Sequence, residues 1–99
     1  MAVTELEAFF EAVRILDLPA QATLAEVKAR HRELVKRHHP DSVADADPEA
    51  IRRINAAYRI VLAYCTGYSF RFNRDEFLEQ NPEERLREQF AHDAIWRGR

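Results

Sequence analysis

Apolar residues recur at helical spacing in the first segment of the chain. Thr4 and Glu7 have the spacing of a capping box, in which a hydroxyl and a carboxylate each satisfy a backbone amide at a helix start. The apolar positions that follow are Leu6, Phe9, Phe10, Val13 and Leu16 or Leu18. Pro19 ends the pattern, because a residue before proline avoids helical geometry. We therefore predict a helix from about Thr4 to Leu18.

A second amphipathic segment begins at another capping box, formed by Thr23 and Glu26. Pro40 stops the helix near His38, since proline cannot continue a helix. One face of this segment is basic. The opposite face carries, at steps of three and four, Leu24, Val27, His31, Leu34, Val35 and His38.

A third helix is predicted after a loop from Pro40 to Asp47. Asp47 can cap it, Pro48 suits the first helical position, and Gly67 is a plausible end. Its apolar stripe consists of Ile51, Ile54, Ala57, Tyr58, Val61 and Leu62. Two long amphipathic helices joined by a short loop pack antiparallel, and the first and last helices then lie across or beside this pair.

The C-terminal third has a different pattern. Tyr68, Phe70 and Phe72 alternate with polar residues, which predicts an extended aromatic strap (residues 68–72). A last helix should start at Asn81-Pro82, with an apolar face of Leu86, Phe90, Ala94 and Trp96. The prediction is an all-α protein: a helical domain at residues 1–66 and an extension at 67–99, packed on that domain.

Length and composition limit the classes of function. A chain of 99 residues supports one domain with a modest core and little room for a deep cavity. The single cysteine excludes an internal disulfide framework and a cysteine-based zinc site, and it fits a reducing cytoplasm. No apolar run approaches a membrane span, and glutamates stand where a signal peptide would be apolar. We expect a cytoplasmic location and no membrane partner.

Charge is distributed unevenly along the chain. The whole sequence carries −2, but the segment from Thr23 to His39 has five basic and two acidic side chains. That segment is therefore +3, and the remainder is −5. The acidic remainder argues against nucleic-acid binding, although a basic helix is compatible with it. The five basic residues, which we call the basic stripe, are the first indication of a functional surface; they are Lys28, Arg30, Arg32, Lys36 and Arg37.

His39-Pro40-Asp41 stands between the basic helix and Ile54-Asn55-Ala56-Ala57-Tyr58 in the third helix, with Ile15-Leu16-Asp17-Leu18 upstream. This arrangement resembles the J-domain of DnaJ-type co-chaperones over roughly Glu11 to Leu62. The resemblance implies a four-helix fold with a central antiparallel hairpin. It also implies that the protein stimulates ATP hydrolysis by a DnaK-type chaperone, the seventy-kilodalton heat-shock ATPase. His39, Pro40 and Asp41 would carry that activity, and electrostatic docking would come from Lys28, Arg32, Lys36 and Arg37.

Several residues depart from the family pattern within this region, among them Ala12 and Val13, which stand where paired aromatics are common. Asp17 stands where a glycine is usual, His31 where an aromatic is common, and Glu33 where a basic residue is common. The glycine/phenylalanine linker, zinc-binding cysteines and client-binding domains of full-length DnaJ are missing. The expectation is a minimal, free-standing J-domain protein. Its affinity for its chaperone is not predicted, because of these departures.

Simpler interpretations compete with these assignments. His39-Pro40-Asp41 is also an ordinary helix stop and turn, and a basic helix face is often only solvated surface. His31 and His38 could bind a metal, but we favour a role in covering the helix interface and expect no metal and no cofactor.

The aromatic strap has two interpretations, packing on the hairpin or binding a client or target through Tyr68, Phe70 and Phe72. The chain shows no phosphate-binding glycine loop and no nucleophile–base pair, so we expect no enzyme. The alternative to a co-chaperone is an adaptor or assembly protein that uses the J-like hairpin as a scaffold.

Overall fold

The computed structural model describes residues 3–41 and 46–97, and side chains as far as residue 92. Part of the predicted loop, residues 42–45, and the side chains of Ala94 and Trp96 lie outside the described residues. The described chain is all-α, as predicted, and contains five helices: α1 (Glu5–Ile15), α2 (Leu24–His38), α3 (Pro48–Thr66), α4 (Arg74–Gln80) and α5 (Pro82–Arg97). The chain divides into two compact units, Met1–Tyr68 and Ser69–Arg99.

The predicted caps form at the starts of the first three helices. The Thr4 hydroxyl accepts from the Glu7 amide at 3.1 Å. Thr23 and Glu26 make the complete reciprocal capping box. At the start of α3, the Asp47 carboxylate accepts from the amide of residue 49, and Pro48 occupies the first turn. Each cap supplies an acceptor for amides that have no partner within the helix.

Two of the three helix ends also follow the prediction. α2 stops at His38, two residues before Pro40, and Gly67 is the C-cap of α3. The first helix is shorter than predicted, because Asp17 adopts a φ of 50°. This left-handed conformation breaks the helix before Pro19, and aspartate is one of the few residues other than glycine that adopt it readily.

The core of the first unit joins α1, α2 and α3. Both α1 and α2 pack against α3, and α2 and α3 are the arms of the antiparallel hairpin. Leu16 is fully buried, with 0% of its surface exposed. The other buried hydrophobic residues among those described are Ala12, Val27, Leu34, Ile54, Ala57 and Val61. Apart from Ala12, which was not among the predicted apolar positions, these side chains come from the predicted apolar faces of the three helices.

A guanidinium connects the end of α1 to α2. Arg30 Nε donates to the backbone carbonyl of Leu16 at 3.0 Å, and Arg30 Nη2 donates to the Asp17 carboxylate at 3.0 Å. The Arg30 side chain is only 23% exposed. Arg30 belongs to the basic stripe in sequence, but its position makes it a structural contact between two elements.

The second unit contains a helix that the sequence pattern did not predict. α4 is capped by Asn73, whose side-chain oxygen accepts from the Glu76 amide at 2.8 Å. α5 begins at Pro82, directly after Asn81, as predicted. The side-chain amide of Asn81 donates to the Phe77 carbonyl at 2.8 Å, so Asn81 also ends α4. Arg74 of α4 forms an ion pair with Glu88 of α5.

The aromatic strap, residues 68–72, precedes α4 and is neither helix nor strand. Leu86 and Phe90, from the predicted apolar face of α5, are 53% and 65% exposed. None of the helices in the described part of the chain has the length and hydropathy needed to cross a membrane.

Candidate functional site

His39, Pro40 and Asp41 form an exposed tip at the C-terminal end of α2. His39 is the C-cap, with extended backbone (φ −72°, ψ 139°), and its amide donates to the Lys36 carbonyl at 3.4 Å. Because Pro40 has a fixed φ and no N–H, the chain leaves the helix at a set angle. The side chains of His39 and Asp41 are 48% and 92% exposed. The tip is therefore available to a partner.

Hydrogen bonding within the tip orients the imidazole. The Asp41 amide donates to His39 Nδ1 at 3.1 Å, and Nδ1 lies 3.6 Å from Asp41 Oδ2. When Nδ1 accepts a hydrogen bond, a neutral imidazole carries its proton on Nε2. The tip thus offers one N–H donor and one carboxylate acceptor.

Three predicted docking cations form a row on the exposed side of α2. Lys28, Arg32 and Lys36 are spaced by four residues, so they span about 80° of the helix circumference and about 12 Å of its length. All three are exposed, and within the described residues none of them takes part in an ion pair. We call Lys28, Arg32 and Lys36 the cationic row.

Arg37, the fourth predicted cation, lies apart from this row. It is about 100° around the helix from Lys36, and its guanidinium pairs with Glu33 at 2.7 Å. Glu33 also pairs with Arg30 at 3.1 Å. Glu33, which departs from the family pattern, and Asp17, which also pairs with Arg30, therefore balance the two arginines on one flank of α2 and leave the cationic row as the net positive surface.

An open depression of about 670 Å³ runs along α2 toward the tip. Its lining residues are His31, Arg32, Glu33, Val35, Lys36 and His39. The depression joins part of the cationic row to His39, so a partner that contacts one can contact the other.

His31 fills the position where an aromatic is common. Its ring stacks on Tyr58 of α3, with centroids 3.9 Å apart and planes 5° apart, and its Nε2 lies 2.9 Å from Asn55 Oδ1. The predicted role of His31 at the helix interface is thus what the geometry shows. Among the described residues, no group of three or more histidine, cysteine, aspartate or glutamate side chains is placed to hold a metal ion.

The first unit carries a second exposed surface that sequence reasoning did not assign. The ring centroid of Phe9 in α1 lies 4.7 Å from that of Tyr64 in α3 and 5.4 Å from that of Phe10. The ring centroids of Tyr64 and Tyr68 are 5.8 Å apart. Phe10, Tyr64 and Tyr68 remain 54%, 53% and 52% exposed. The helical spacing of Phe10 and Leu6 on α1 was the available signal, but spacing does not distinguish a buried face from an exposed one.

The aromatic strap is also exposed. Phe70 and Phe72 are 67% and 97% exposed. Whether the extension packs on the hairpin stays a prediction.

The site is thus a helical hairpin with an exposed His-Pro-Asp turn and a cationic row on the helix that precedes the turn. Residues 12–63 match the family model of the DnaJ domain, and the chain belongs to this family. The match begins at Ala12 in the core of α1 and ends within α3, so it includes the tip and the cationic row.

Three curated relatives show the extent of the similarity. The chaperone protein DnaJ of Ureaplasma parvum is 43% identical over 47 residues, which are 48% of this chain and 12% of the relative. An uncharacterised J-domain-containing protein of Schizosaccharomyces pombe is 35% identical over 71 residues, which are 64% of this chain and 26% of the relative. The chaperone protein DnaJ of Hydrogenobacter thermophilus is 31% identical over 91 residues (86% and 24%).

The chain thus spans about a quarter or less of the length of these relatives. No solved structure gives a significant match.

Proposed function

We propose that this protein is a co-chaperone that docks on a DnaK-type chaperone and stimulates its ATP hydrolysis through His39, Pro40 and Asp41. The observation that supports this most directly is the tip itself. Asp41 is 92% exposed at the end of a helix whose adjacent cationic row has no intramolecular ion pairs among the described residues.

Electrostatics favours an acidic surface on the chaperone as the docking partner. Unpaired cations raise the rate of association with a negative surface, and salt screens this effect over about 10 Å at 0.1 M. Arg37 belongs to the proposed docking set as well, but its charge is already compensated by Glu33 at 2.7 Å. Its contribution should therefore be smaller than that of Lys36.

The ATP-hydrolysing step belongs to the chaperone in this proposal, and we assign no catalytic residue, cofactor or metal to this chain. The proposed outcome is that the activated chaperone retains a client polypeptide, which aids protein folding. A cytoplasmic location stays part of the proposal.

Single-turnover ATP hydrolysis by the cognate chaperone tests the proposal. Wild-type protein should accelerate hydrolysis, and His39→Gln should abolish the acceleration while circular dichroism shows an unchanged helix content. Equal stimulation by both proteins, or none by wild type, would refute the function.

A matched pair of variants tests the cationic row. Lys36→Gln and Arg37→Gln each remove one charge at adjacent positions, but only Arg37 has an ion-pair partner among the described residues. The association rate at low salt should fall more for Lys36→Gln, and the loss should disappear at 1 M salt. Equal losses of association rate would show that the ion pair with Glu33 does not reduce the contribution of Arg37 to docking.

The strap supports a second candidate function, that of an adaptor that binds a specific target through Tyr68, Phe70 and Phe72. The supporting observation is the exposure of Phe72, which reaches 97%. A stable complex with a non-chaperone protein should then be lost in Phe72→Ala and kept in Asp41→Asn. A complex that depends on Asp41 and not on Phe72 would support chaperone docking instead.

A further inference from the structure

One nitrogen of His39 faces two groups with opposite hydrogen-bonding requirements. Nδ1 accepts from the Asp41 amide at 3.1 Å, and the same Nδ1 lies 3.6 Å from the Asp41 carboxylate. An amide N–H requires an acceptor, whereas a carboxylate requires a donor. The protonation state of the imidazole therefore decides which of the two groups it can bind.

In the neutral state, Nδ1 keeps its lone pair and holds the amide of Asp41. The carboxylate of Asp41, whose side chain is 92% exposed, is then available to a partner. In the protonated state both ring nitrogens are donors, so the bond from the Asp41 amide is lost. The Nδ1–H group would then bind Asp41 Oδ2 as a charge-assisted pair.

The second arrangement requires only a small movement. A charge-assisted N–H···O bond is about 2.7–2.9 Å long, so Nδ1 and Oδ2 need to approach by less than 1 Å from their separation of 3.6 Å. Rotation of two exposed side chains achieves this without a change in α2. Pro40 fixes the backbone between them and offers no competing N–H.

Among the described residues, the charged groups around His39 leave Asp41 as its anionic partner. Lys36, Arg32 and Glu33 of α2 line the depression that His39 shares. Lys36 and Arg32 are cationic, and Glu33 is paired with two arginines of α2. The acidic residues at the start of α3 are also paired with arginines of α3. The N-cap carboxylate at residue 47 lies 3.9 Å from its arginine, and the carboxylate of residue 49 lies 2.6 Å from its arginine.

We infer that His39 is a positioning residue whose protonation switches the tip between two states. With neutral His39, the Asp41 carboxylate is presented for docking; with protonated His39, its own imidazolium captures it. The consequence for docking rests on the proposed function. The affinity for the chaperone should fall as the pH falls through the titration of His39. One pH unit below its midpoint, about a tenth of the tips remain neutral, so the apparent affinity should drop about tenfold.

Nuclear magnetic resonance on the full-length, isotope-labelled free protein tests the switch. At high pH, His39 should be the Nε2–H tautomer. On acidification, the Asp41 amide proton and the Asp41 side-chain carboxyl carbon should both shift with the midpoint of His39.

His38→Gln is the matched control, because it removes the adjacent imidazole and should leave the Asp41 shifts unchanged. His39→Gln should remove the pH-dependent step from both Asp41 signals. A neutral His39 with its proton on Nδ1, or Asp41 signals that do not follow His39, would overturn the inference.

Chaperone affinity measured over the same pH range tests the consequence. The expected result is about a twofold loss of affinity at the midpoint that the His39 signals define, and about a tenfold loss one pH unit below it. An affinity that does not change across this midpoint would overturn the link between tip state and docking. Absence of binding at every pH would instead refute the proposed function, and the spectroscopic result would still decide whether the tip switches.

Discussion

Arg30→Lys should destabilise the first unit although it conserves the charge. The guanidinium of Arg30 makes two contacts with the end of α1 at once, from Nε to the Leu16 carbonyl and from Nη2 to Asp17, both at 3.0 Å, beside its ion pair with Glu33 of α2 at 3.1 Å. A lysine ammonium is a single point on a flexible chain and cannot reproduce this fork. The variant should keep at most one of the two contacts.

The size of the expected destabilisation follows from how far the two partners of Arg30, Leu16 and Asp17, are buried. Leu16 is 0% exposed, so its carbonyl has little access to replacement water. A hydrogen bond to a charged group contributes about 1.5–3 kcal/mol, and an exposed ion pair such as that with Asp17 contributes less than about 1 kcal/mol. With partial compensation by the ammonium, we expect a loss of about 1–2 kcal/mol in the free energy of unfolding.

Urea unfolding followed by nuclear magnetic resonance measures this loss. The amide signals of Ala12, Leu34 and Val61 report on the core of the first unit. Fluorescence of the single tryptophan would report on the second unit instead, because Trp96 lies there. A change in midpoint with an unchanged slope would show a change in stability alone.

Arg37→Lys is the matched control, because it makes the same substitution on the same helix. Arg37 and Glu33 are exposed, at 56% and 53%, so the change should cost less than about 0.5 kcal/mol. Equal losses for the two variants would refute the reasoning that Arg30 connects α1 to α2.

Three further predictions concern the stability of the first unit, each measured by the same urea titration. Asp17→Gly should be more stable than Asp17→Ala by about 1 kcal/mol, because both lose the ion pair but only glycine adopts a φ of 50° without strain; an alanine variant of equal stability would contradict this. His31→Phe should keep the stacking on Tyr58 and lose about 1 kcal/mol with the hydrogen bond to Asn55, whereas His31→Ala should lose about 2–3 kcal/mol; equal losses would exclude a contribution from stacking. Thr23→Ala should lower the free energy of unfolding by about 1 kcal/mol, because it removes the capping box. An unchanged unfolding midpoint would contradict this.

Local sequence signals were sufficient for most helix boundaries. Thr4 and Thr23 cap helices where their spacing to glutamates predicted it, and Asp47 caps α3 ahead of Pro48, as predicted. The missed helix α4 had the same kind of signal, since Asn73 precedes Glu76 by three residues. Asn81 shows the limit of such signals, because its side chain can end one helix or begin the next and the Phe77 carbonyl decides which.

The tip was predictable because its chemistry is contained in three consecutive residues. The docking surface was predictable only in part. Lys36 and Arg37 are equivalent in sequence, but α2 places Arg37 on another flank, against Glu33. The sequence of the basic stripe shows how many charges there are, whereas the geometry of the helix decides which of them form ion pairs.

The sequence by itself determined an all-α chain, its first three caps and the exposed turn at Pro40, because these depend on contacts within a few residues. Tertiary structure decided the roles of residues whose partners are distant along the chain. Arg30 contacts Leu16 and Asp17, and His31 stacks on Tyr58, because α1, α2 and α3 meet around one core. Periodicity shows which residues share a face of a helix, but only packing shows what that face meets.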